Sequence, residues 1–252
     1  MDHTSLDMAP YTPSSVVDVG ANDTEEITFQ GPSSKAFGVT RIHLSAESPR
    51  KLKMTLEASS DGDRTQWNGV LARAVQRYFD GYALRVPILL AQSEEMTITL
   101  EDTSGSSQRV GVQLEGIHDE PLERLQERMD LDPVHRELSW FYGTTTLSSG
   151  ASLSDLGVNY EKRRGRAFDR FTVAADADVP HQLEARLVTG NSAVRRPATF
   201  DQIHRAFEHG KRAPTPYETE PFGVFSVEGT NNDSSDHEVS FLAASLPPSF
   251  YE

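Results

Sequence analysis

Alternation of apolar and polar side chains is the commonest pattern along this chain. Leu52, Met54 and Leu56 take every second position of one segment, a period typical of a strand that buries one face. Pro87 places another segment, Leu84–Leu90, at a sheet edge or at the start of a strand. Many short strands of this kind favour a sandwich, a jelly roll or a barrel. The other predicted strands are Ser14–Val19, Glu25–Phe29, Phe37–Leu44, Glu137–Tyr142, Phe168–Ala174 and Gln182–Val188.

Two pairs of alternating segments are predicted to form hairpins. Met96–Leu100 and Val110–Leu114 flank the polar turn Asp102–Ser106, in which Gly105 suits a positive φ. The second predicted hairpin consists of Phe222–Val227, the polar turn Glu228–Asp236 and His237–Ala243.

Apolar residues at spacings of three and four predict one helix in each half. The first helix is predicted over Gln66–Phe79, with Gly81 as its C-terminal stop. The second is predicted over Thr199–Glu208, closed by Gly210. The residues in this spacing are Trp67, Val70, Leu71, Ala74, Val75 and Tyr78 in the first helix and Phe200, Ile203 and Phe207 in the second.

The two halves share the order strand, helix, strand, hairpin. This order predicts a mainly β fold with two tandem β-sandwich (jelly-roll-like) domains, each with one inserted helix. The alternative is one continuous β domain followed by an unrelated, smaller α+β segment. The predicted boundaries are a flexible N-terminal arm at 1–13, a sandwich at 14–118, a linker helix at 119–136 and a second sandwich-like domain at 137–252.

The chain is acidic, with a formal net charge of −14 over 252 residues. No nucleic-acid partner is expected, because binding phosphates takes Lys and Arg. Only five of the 24 Lys and Arg residues are Lys. This bias on a carboxylate-rich surface fits a halophilic origin or a codon bias equally well.

Several classes of site are excluded by what the sequence lacks. Without cysteine there are no disulfides, thiolate metal sites or Cys nucleophiles. The eight histidines include no pair at the helical metal-binding spacing of four, and neither a Gly-rich phosphate loop nor a G-x-S-x-G elbow is present. We predict no catalytic residues, no cofactor and no enzyme activity, with an uncharacterised hydrolase using paired carboxylates as an open alternative. No signal peptide and no transmembrane segment are expected.

Two polar loops carry the hard oxygen ligands that Ca²⁺ prefers. Neither loop matches the EF-hand pattern, and Asn and Asp in turns commonly accept hydrogen bonds from their own backbone. Turn formation is therefore the main interpretation and calcium binding the alternative. The candidate ligands are Asp61 and Asp63 in the first loop and Asn231, Asp233 and Asp236 in the second.

The basic run 161–166, with Arg163, Arg164 and Arg166, departs from the acidic character of the chain. It is interpreted as a solvated loop, with a subunit interface or anionic lipid headgroups as the first alternative and nucleic acid as the second.

Trp140, Phe141 and Tyr142 are consecutive and cannot all face one side of a strand. They predict core and inter-domain packing, with an inter-subunit contact or a sugar-stacking site as alternatives.

One segment of about 30 of the 252 residues combines an apolar strand, a strand with a polar turn and a return strand that ends at Gly116. These parts are Val86-Pro87-Ile88-Leu89-Leu90, the strand Met96–Leu100 with its turn Thr103-Ser104-Gly105, and the return strand Val110–Leu114. The segment resembles the closing hairpin of β-sandwich virion proteins from icosahedral bacterial and archaeal viruses. The resemblance implies a jelly-roll capsid or other virion structural protein, with tandem sandwiches like those of double-barrel capsid subunits and without catalytic residues.

These observations together predict a non-enzymatic structural protein of a virion or a similar self-assembling particle, either a capsid subunit or a capsid-associated protein. The expected partners are further copies of the chain, other virion proteins or both, and the expected location is the virion after assembly in the host cytoplasm. The alternative is a carbohydrate-binding β-sandwich module that uses the aromatic run or a calcium-assisted polar loop.

Overall fold

The fold is mainly β in the computed structural model, which describes residues 12–31, 37–58, 64–90, 94–118, 138–160, 163–189, 192–193 and 196–251. The predicted linker helix at 119–136 lies outside these residues, as does the predicted N-terminal arm apart from residues 12 and 13.

The first half forms an eight-stranded jelly roll. One sheet has the strand order β1-β8-β3-β6 and the other β2-β7-β4-β5, so that most successive strands lie in opposite sheets. The elements are β1 (Ser14–Val19), β2 (Thr24–Gln30), β3 (Phe37–Ala46), β4 (Leu52–Ala58), β5 (Arg64–Leu71), α1 (Ala72–Phe79), β6 (Ile88–Leu90), β7 (Glu95–Asp102) and β8 (Gln108–His118).

The second half has a similar arrangement with ten strands. Its elements are β9 (Ser139–Leu147), β10 (Ser152–Leu153), β11 (Arg166–Phe168), β12 (Thr172–Ala175), β13 (Leu183–Thr189), β14 (Ser192–Ala193), β15 (Ala198–Thr199), α2 (Phe200–Phe207), β16 (Tyr217–Thr219), β17 (Phe225–Asn231) and β18 (His237–Ser245). The strand orders are β9-β18-β12 and β10-β17-β13-β14, with β15 also on β13 and with β11 and β16 as a separate pair.

Element order is similar in both halves. The last strand of each sandwich lies between the first strand and a middle one, and each helix precedes the last three strands of its half. The predicted fold class, two tandem jelly-roll-like sandwiches with one inserted helix each, is confirmed. The alternative of an unrelated α+β second segment is wrong.

The first helix is shorter than predicted. Residues 64–71 form β5, which pairs with β4, and only Ala72–Phe79 is helical. The pairing of β5 with β4 is irregular between Met54 and Glu57, and Gly69 has a φ of 60°. Such a bulge buries residues at spacings other than two, so Trp67, Val70 and Leu71 imitate a helical period inside a strand.

Neither predicted hairpin forms a two-stranded ladder. β7 and β8 belong to opposite sheets, as do β17 and β18, so each polar turn arches from one sheet to the other. Alternating strands joined by a short polar turn have the same sequence pattern in both arrangements, and the sequence pattern therefore could not distinguish them.

A buried polar side chain anchors the arch between β7 and β8. Asp102 is only 2% exposed and accepts hydrogen bonds from the backbone N–H groups of Asn22, Ser104 and Gly105, each at 3.1 Å, and from Gln108 Nε2 at 2.7 Å. Desolvation alone would raise the pKa of Asp102, but these hydrogen bonds outweigh it and hold the pKa below its usual value.

Replacing Asp102 by Ala is expected to lower the free energy of unfolding by about 2 kcal/mol, because five donors, the Ser104 hydroxyl at 2.7 Å among them, lose a common acceptor. The folded-state pKa is depressed, so the contribution is present at neutral pH and is lost as the pH falls through that folded-state value. Urea unfolding at pH 7 and pH 3 measures this, and the gap between wild type and Asp102→Ala should narrow at pH 3. The exposed Asp18→Ala serves as the control, and a gap of equal size at both pH values would contradict the assignment.

The apolar interior has two clusters that share one sheet. The first fills the first sandwich and continues into Trp140, Leu242 and Ala244 of the second half. The second cluster fills the second sandwich and includes Phe141 and Phe241. No helix in the described part of the chain has the length and apolar character needed to cross a membrane.

Candidate functional site

The aromatic run lies on β9, where the two cores meet. Trp140 packs into the first sandwich, with its ring centroid 4.6 Å from that of Trp67 and 5.5 Å from that of Tyr78. Its indole N–H donates to Gln66 Oε1 at 3.2 Å. A strand of the second half therefore supplies a core residue of the first.

Phe141 points in the opposite direction, into the second core. Its ring centroid is 5.3 Å from that of Tyr160, 5.5 Å from that of Phe168 and 5.1 Å from that of Phe225. Trp140 and Phe141 are both buried and Tyr142 is half-buried. The run joins the two cores, and neither buried ring offers a face on which a sugar could stack.

We use the term junction for the contact of α1 and β5 with the sheet β9-β18-β12. The sheet is covered on both faces, because its residues alternate between the two cores. Hydrogen bonds also cross the junction. Leu71 N–H donates to Ser240 Oγ at 3.0 Å, and Ala244 N–H donates to Tyr78 Oη at 3.2 Å.

A buried guanidinium connects the ends of the two helices at the junction. Arg170 is 1% exposed. At the end of α1 it donates to the carbonyl oxygens of Arg77 at 2.6 Å, Tyr78 at 2.7 Å and Asp80 at 3.4 Å. The last carbonyls of a helix have no partner within the helix and carry partial negative charge, so a cation is favoured there.

The same side chain caps α2. Arg170 Nη1 donates to the carbonyl oxygens of Phe207, the last residue of α2, and of Lys211, the latter at 3.0 Å. The two helix ends approach closely at Gly81 and Gly210, where a Cβ built on Gly210 would lie 2.2 Å from the Gly81 carbonyl oxygen. One guanidinium thus fixes equivalent helices of the two sandwiches against each other.

Asp169, next to this guanidinium, is a second buried polar centre. It accepts hydrogen bonds from Tyr82 Oη and Arg85 Nε, both at 3.0 Å, and Arg212 Nε lies 3.7 Å away. Burial, reinforced by the carboxylate of Asp169, raises the pKa of Tyr82, so the phenol stays protonated and donates.

Ion pairs connect the two halves at one edge of the junction. The cations lie on or beside β4 of the first sandwich, and the carboxylates lie after β12 or on β18 of the second. Exposed pairs of this kind contribute little to stability individually, but they fix the relative register of the two halves. The pairs are Arg50 with Asp178 at 2.6 Å, Lys51 with Asp176 at 2.8 Å and Lys53 with Glu238 at 2.8 Å.

The basic run is divided by the fold. Arg163 and Arg164 are exposed, whereas Arg166 is only 1% exposed on β11. Residues 161 and 162 lie outside the described residues. Arg166 is therefore not displayed on the surface of the chain, and the surface part of the run consists of Arg163 and Arg164.

An apolar loop lies beside this basic surface. Phe222 is 79% exposed and Val224 63% exposed, the largest values among the large apolar side chains that the structure describes. Gly165 packs against this loop, since a Cβ built there would lie 3.4 Å from Pro221 Cδ. We call Pro221–Val224 together with Arg163 and Arg164 the apolar–basic patch.

The backbone holds Phe222 out toward solvent. Its φ is 57°, a conformation that costs free energy for a bulky side chain and persists only where the surroundings enforce it. Tyr160 supplies part of this support. Its hydroxyl donates to the Gly223 carbonyl at 3.0 Å and accepts from Phe225 N–H at 2.7 Å.

The second polar loop is organised by hydrogen bonds within the protein. Asn231 is buried and donates to the carbonyl oxygens of Leu147 at 2.9 Å and Ser235 at 2.8 Å. Its Oδ1 accepts from Asp233 N–H at 2.8 Å. Asn231 ends β17 as Asp102 ends β7, so both arches are anchored by a buried Asx residue at the same point of the fold.

The carboxylates of this loop also have protein partners. Asp233 Oδ2 lies 2.6 Å from His237 Nε2, a hydrogen bond that lowers the pKa of Asp233, and Asp236 Oδ1 accepts from Ser149 N–H at 2.8 Å. Among the residues that the structure describes, no group of three or more His, Asp or Glu side chains is placed to hold a metal ion. Asp61 and Asp63, the other calcium candidates, lie outside these residues.

Sequence reasoning missed Asp169, Arg170 and the exposure of Phe222. One signal was available, because Asp169-Arg170 interrupts an apolar segment read as a continuous strand over Phe168–Ala174. The structure breaks the strand at this pair, and β11 ends before it and β12 begins after it. Two adjacent charged residues within an apolar run indicate a buried polar centre, because charged side chains are buried only where they have hydrogen-bond or ion-pair partners.

Comparison with known proteins gives matches in structure only. No protein-family model and no curated protein sequence matches the chain. The crystal structure of the STIV MCP aligns over 96% of this chain and 98% of its own, with 12% identity and a TM-score of 0.50. A structure of Sulfolobus Turreted Icosahedral Virus aligns over 96% and 92%, with 13% identity and a TM-score of 0.48.

A further solved structure, the major capsid protein P2 from bacteriophage PM2, aligns over 93% of this chain and 97% of its own, with 9% identity and a TM-score of 0.41. At these identities the likeness to the STIV MCP shows a shared fold. The resemblance to jelly-roll virion proteins that residues 86–116 indicated is confirmed at that level.

Proposed function

We propose that this chain is a non-enzymatic structural subunit of a virion or a similar self-assembling particle, and that it associates with further copies of itself through the apolar–basic patch. The observation that carries the proposal is the exposed side chain of Phe222, held outward at a φ of 57° by a hydrogen-bonded loop. A solvent-exposed aromatic ring in a conformation that costs free energy is typical of a side chain that serves a contact.

The fold supports an assembly role in a second way. The two jelly rolls share a sheet that is covered on both faces, and the Arg170 side chain joins the ends of their helices. They therefore form one unit, whose surfaces keep a fixed relative geometry. A building block needs such fixed geometry, because closed assemblies repeat the same contacts at every subunit. The STIV MCP shows that the fold occurs in a capsid protein.

A second copy is the partner that the charges favour. Arg163 and Arg164 are cationic and exposed, while the chain as a whole carries a net charge of −14. The apolar–basic patch therefore meets a complementary surface on another copy, with Phe222 and Val224 buried at the centre and the Arg side chains at the rim.

Replacing Phe222 by Asn and Val224 by Ser together is expected to weaken self-association at least tenfold, because a central aromatic anchor typically contributes more than about 1.4 kcal/mol. Asn tolerates the positive φ at position 222, so the loop conformation is kept. Sedimentation velocity over a range of protein concentrations, at low and at molar salt, measures the association. Electron microscopy of the same samples shows whether particles form.

Val16→Ser is the matched control, since Val16 is also exposed, at 57%, but lies on β1 of the other sandwich. A wild-type chain that stays monomeric at every salt and protein concentration would overturn the proposal, as would a doubly substituted chain that associates like wild type. Vesicles of anionic lipid test the other proposed partner of the basic run. Vesicle binding that depends on Arg163 and Arg164, without self-association, would assign the patch to a lipid surface instead.

A further inference from the structure

A cleft of about 490 Å³ opens between the two sandwiches on the side of the junction where α1 faces solvent. It is built from both halves. Its lining comes from β3, from α1 and the two residues that follow α1, and from His204 of α2. The polar residues that line it are His43, Arg73, Gln76, Arg77, Asp80 and His204.

The two Arg residues of this cleft have no carboxylate partner among the described residues. Arg77 is 8% exposed, its Nη1 donates to the Val173 carbonyl oxygen at 3.1 Å, and its buried Nε has no hydrogen-bond acceptor. Arg73 donates from Nη1 to Gln76 Oε1 at 3.2 Å, and its buried Nε likewise has no acceptor.

This arrangement is unexpected in an acidic chain. A buried guanidinium is normally paired, because removing it from water without an anion costs several kcal/mol. The chain has 38 Asp and Glu residues. The carboxylate in the cleft wall, Asp80, accepts the N–H of His209 at 3.2 Å.

The electrostatic environment of the cleft is positive around α1. Burial, followed by the charges of Arg73 and Arg50, lowers the pKa of Arg77 to about 10, so it stays cationic at neutral pH. Burial and then the charges of Arg77 and Arg73 lower the pKa of His204 on the facing wall. His43 is already paired with Glu115 at 3.0 Å, so the lining carries the two guanidinium charges of Arg73 and Arg77 against the single carboxylate of Asp80.

We propose that this cleft is a binding site for a small tetrahedral oxyanion, of which inorganic phosphate is the simplest example. Arg77 and Arg73 hold the anion from α1, and Gln76, whose Nε2 already donates to the Leu44 carbonyl oxygen at 3.0 Å, keeps Arg73 in place through its Oε1. The planar guanidinium fork matches paired oxygens of such an anion, and charge-assisted hydrogen bonds to it are the strongest of their kind. The anion occupies the space between α1 and α2 and thereby strengthens the contact of the two sandwiches.

Thermal unfolding with phosphate or with chloride at equal ionic strength tests the site. Phosphate at ten times its dissociation constant is expected to raise the Tm of the wild-type chain by about 3 °C more than chloride does. Isothermal titration of the intact chain with phosphate measures the affinity directly. Phosphate also stabilises proteins non-specifically, because it is excluded from the protein surface, and this effect is small at low millimolar concentration.

Arg73→Gln is the principal variant, because Arg73 is half-buried and its loss should be tolerated by the fold. It is expected to weaken phosphate binding at least tenfold, and Arg77→Gln should abolish it. The control is Arg186→Gln on β13, where the Arg is paired with Glu228 at 3.1 Å, and this variant should keep the wild-type response. Equal responses to phosphate and chloride in the wild type, or an undiminished phosphate response in Arg73→Gln, would overturn the proposal.

Discussion

Replacing Arg170 by Met is expected to lower the free energy of unfolding by about 5 kcal/mol, the largest effect of any single substitution considered for this chain. The methionine side chain fills the space of the alkyl stem but removes the donors to five carbonyl oxygens at the ends of α1 and α2. Buried acceptors left without a donor cost about 1–3 kcal/mol each before any relaxation, and breaking a buried charged network costs about 3–5 kcal/mol.

Chemical denaturation followed by tryptophan fluorescence measures this loss at the right place. The chain has two tryptophans, and both Trp67 and Trp140 lie at the junction. Arg205→Met is the control, because Arg205 is an exposed residue of α2 whose pair with Asp201 at 2.9 Å is worth a few tenths of a kcal/mol. Arg170→Lys should fall between the two, since an ammonium keeps the charge but cannot reach both helix ends. An Arg170→Met chain as stable as Arg205→Met would show that the helix ends are held by packing alone.

The strands could be predicted from the sequence because alternation reports burial directly. The pattern failed where the backbone departs from a regular ladder. At Gly69 a bulge changes the spacing of buried residues and imitates a helix, and at Asp102 and Asn231 an arch between sheets has the pattern of a hairpin. In each case the pattern identifies which residues are apolar and buried. It does not identify the strand with which a segment pairs, because pairing depends on contacts between residues distant in sequence.

The functional surfaces were less accessible to sequence reasoning. Trp140 and Phe141 were recognised because consecutive aromatic residues on a strand must face opposite sides. The cleft was not, since Arg73 and Arg77 look like ordinary charged positions on a helix, and their lack of carboxylate partners appears only when α2 of the other sandwich is in place. Phe222 is predicted to lie in a strand of the second hairpin, and only its conformation reveals its exposure.

Gly210→Ala is expected to cost about 4 kcal/mol, the second-largest effect, for a reason that involves both sandwiches. Gly210 has a φ of 78°, and a Cβ there would lie 2.2 Å from the Gly81 carbonyl oxygen and 2.8 Å from its carbon. The added methyl group meets rigid backbone, so the two helix ends must separate and the hydrogen bonds of Arg170 lengthen. Left-handed strain contributes about 1–2 kcal/mol of the cost, and forced separation of packed elements contributes about 1–3 kcal/mol.

Gly150→Ala separates these two contributions. Gly150 has a φ of 66°, but a Cβ there meets nothing within 4 Å, so this variant should cost only the conformational strain, about 1 kcal/mol. Gly81→Ala approaches the same contact from the first sandwich, with its Cβ 2.8 Å from the His209 carbonyl carbon, and should behave like Gly210→Ala. If urea unfolding gives the same loss for Gly210→Ala and Gly150→Ala, the helix ends do not constrain each other. If the loss at Gly210 is several times larger and is shared by Gly81, the contact of the two helix ends is what fixes the angle between the two jelly rolls.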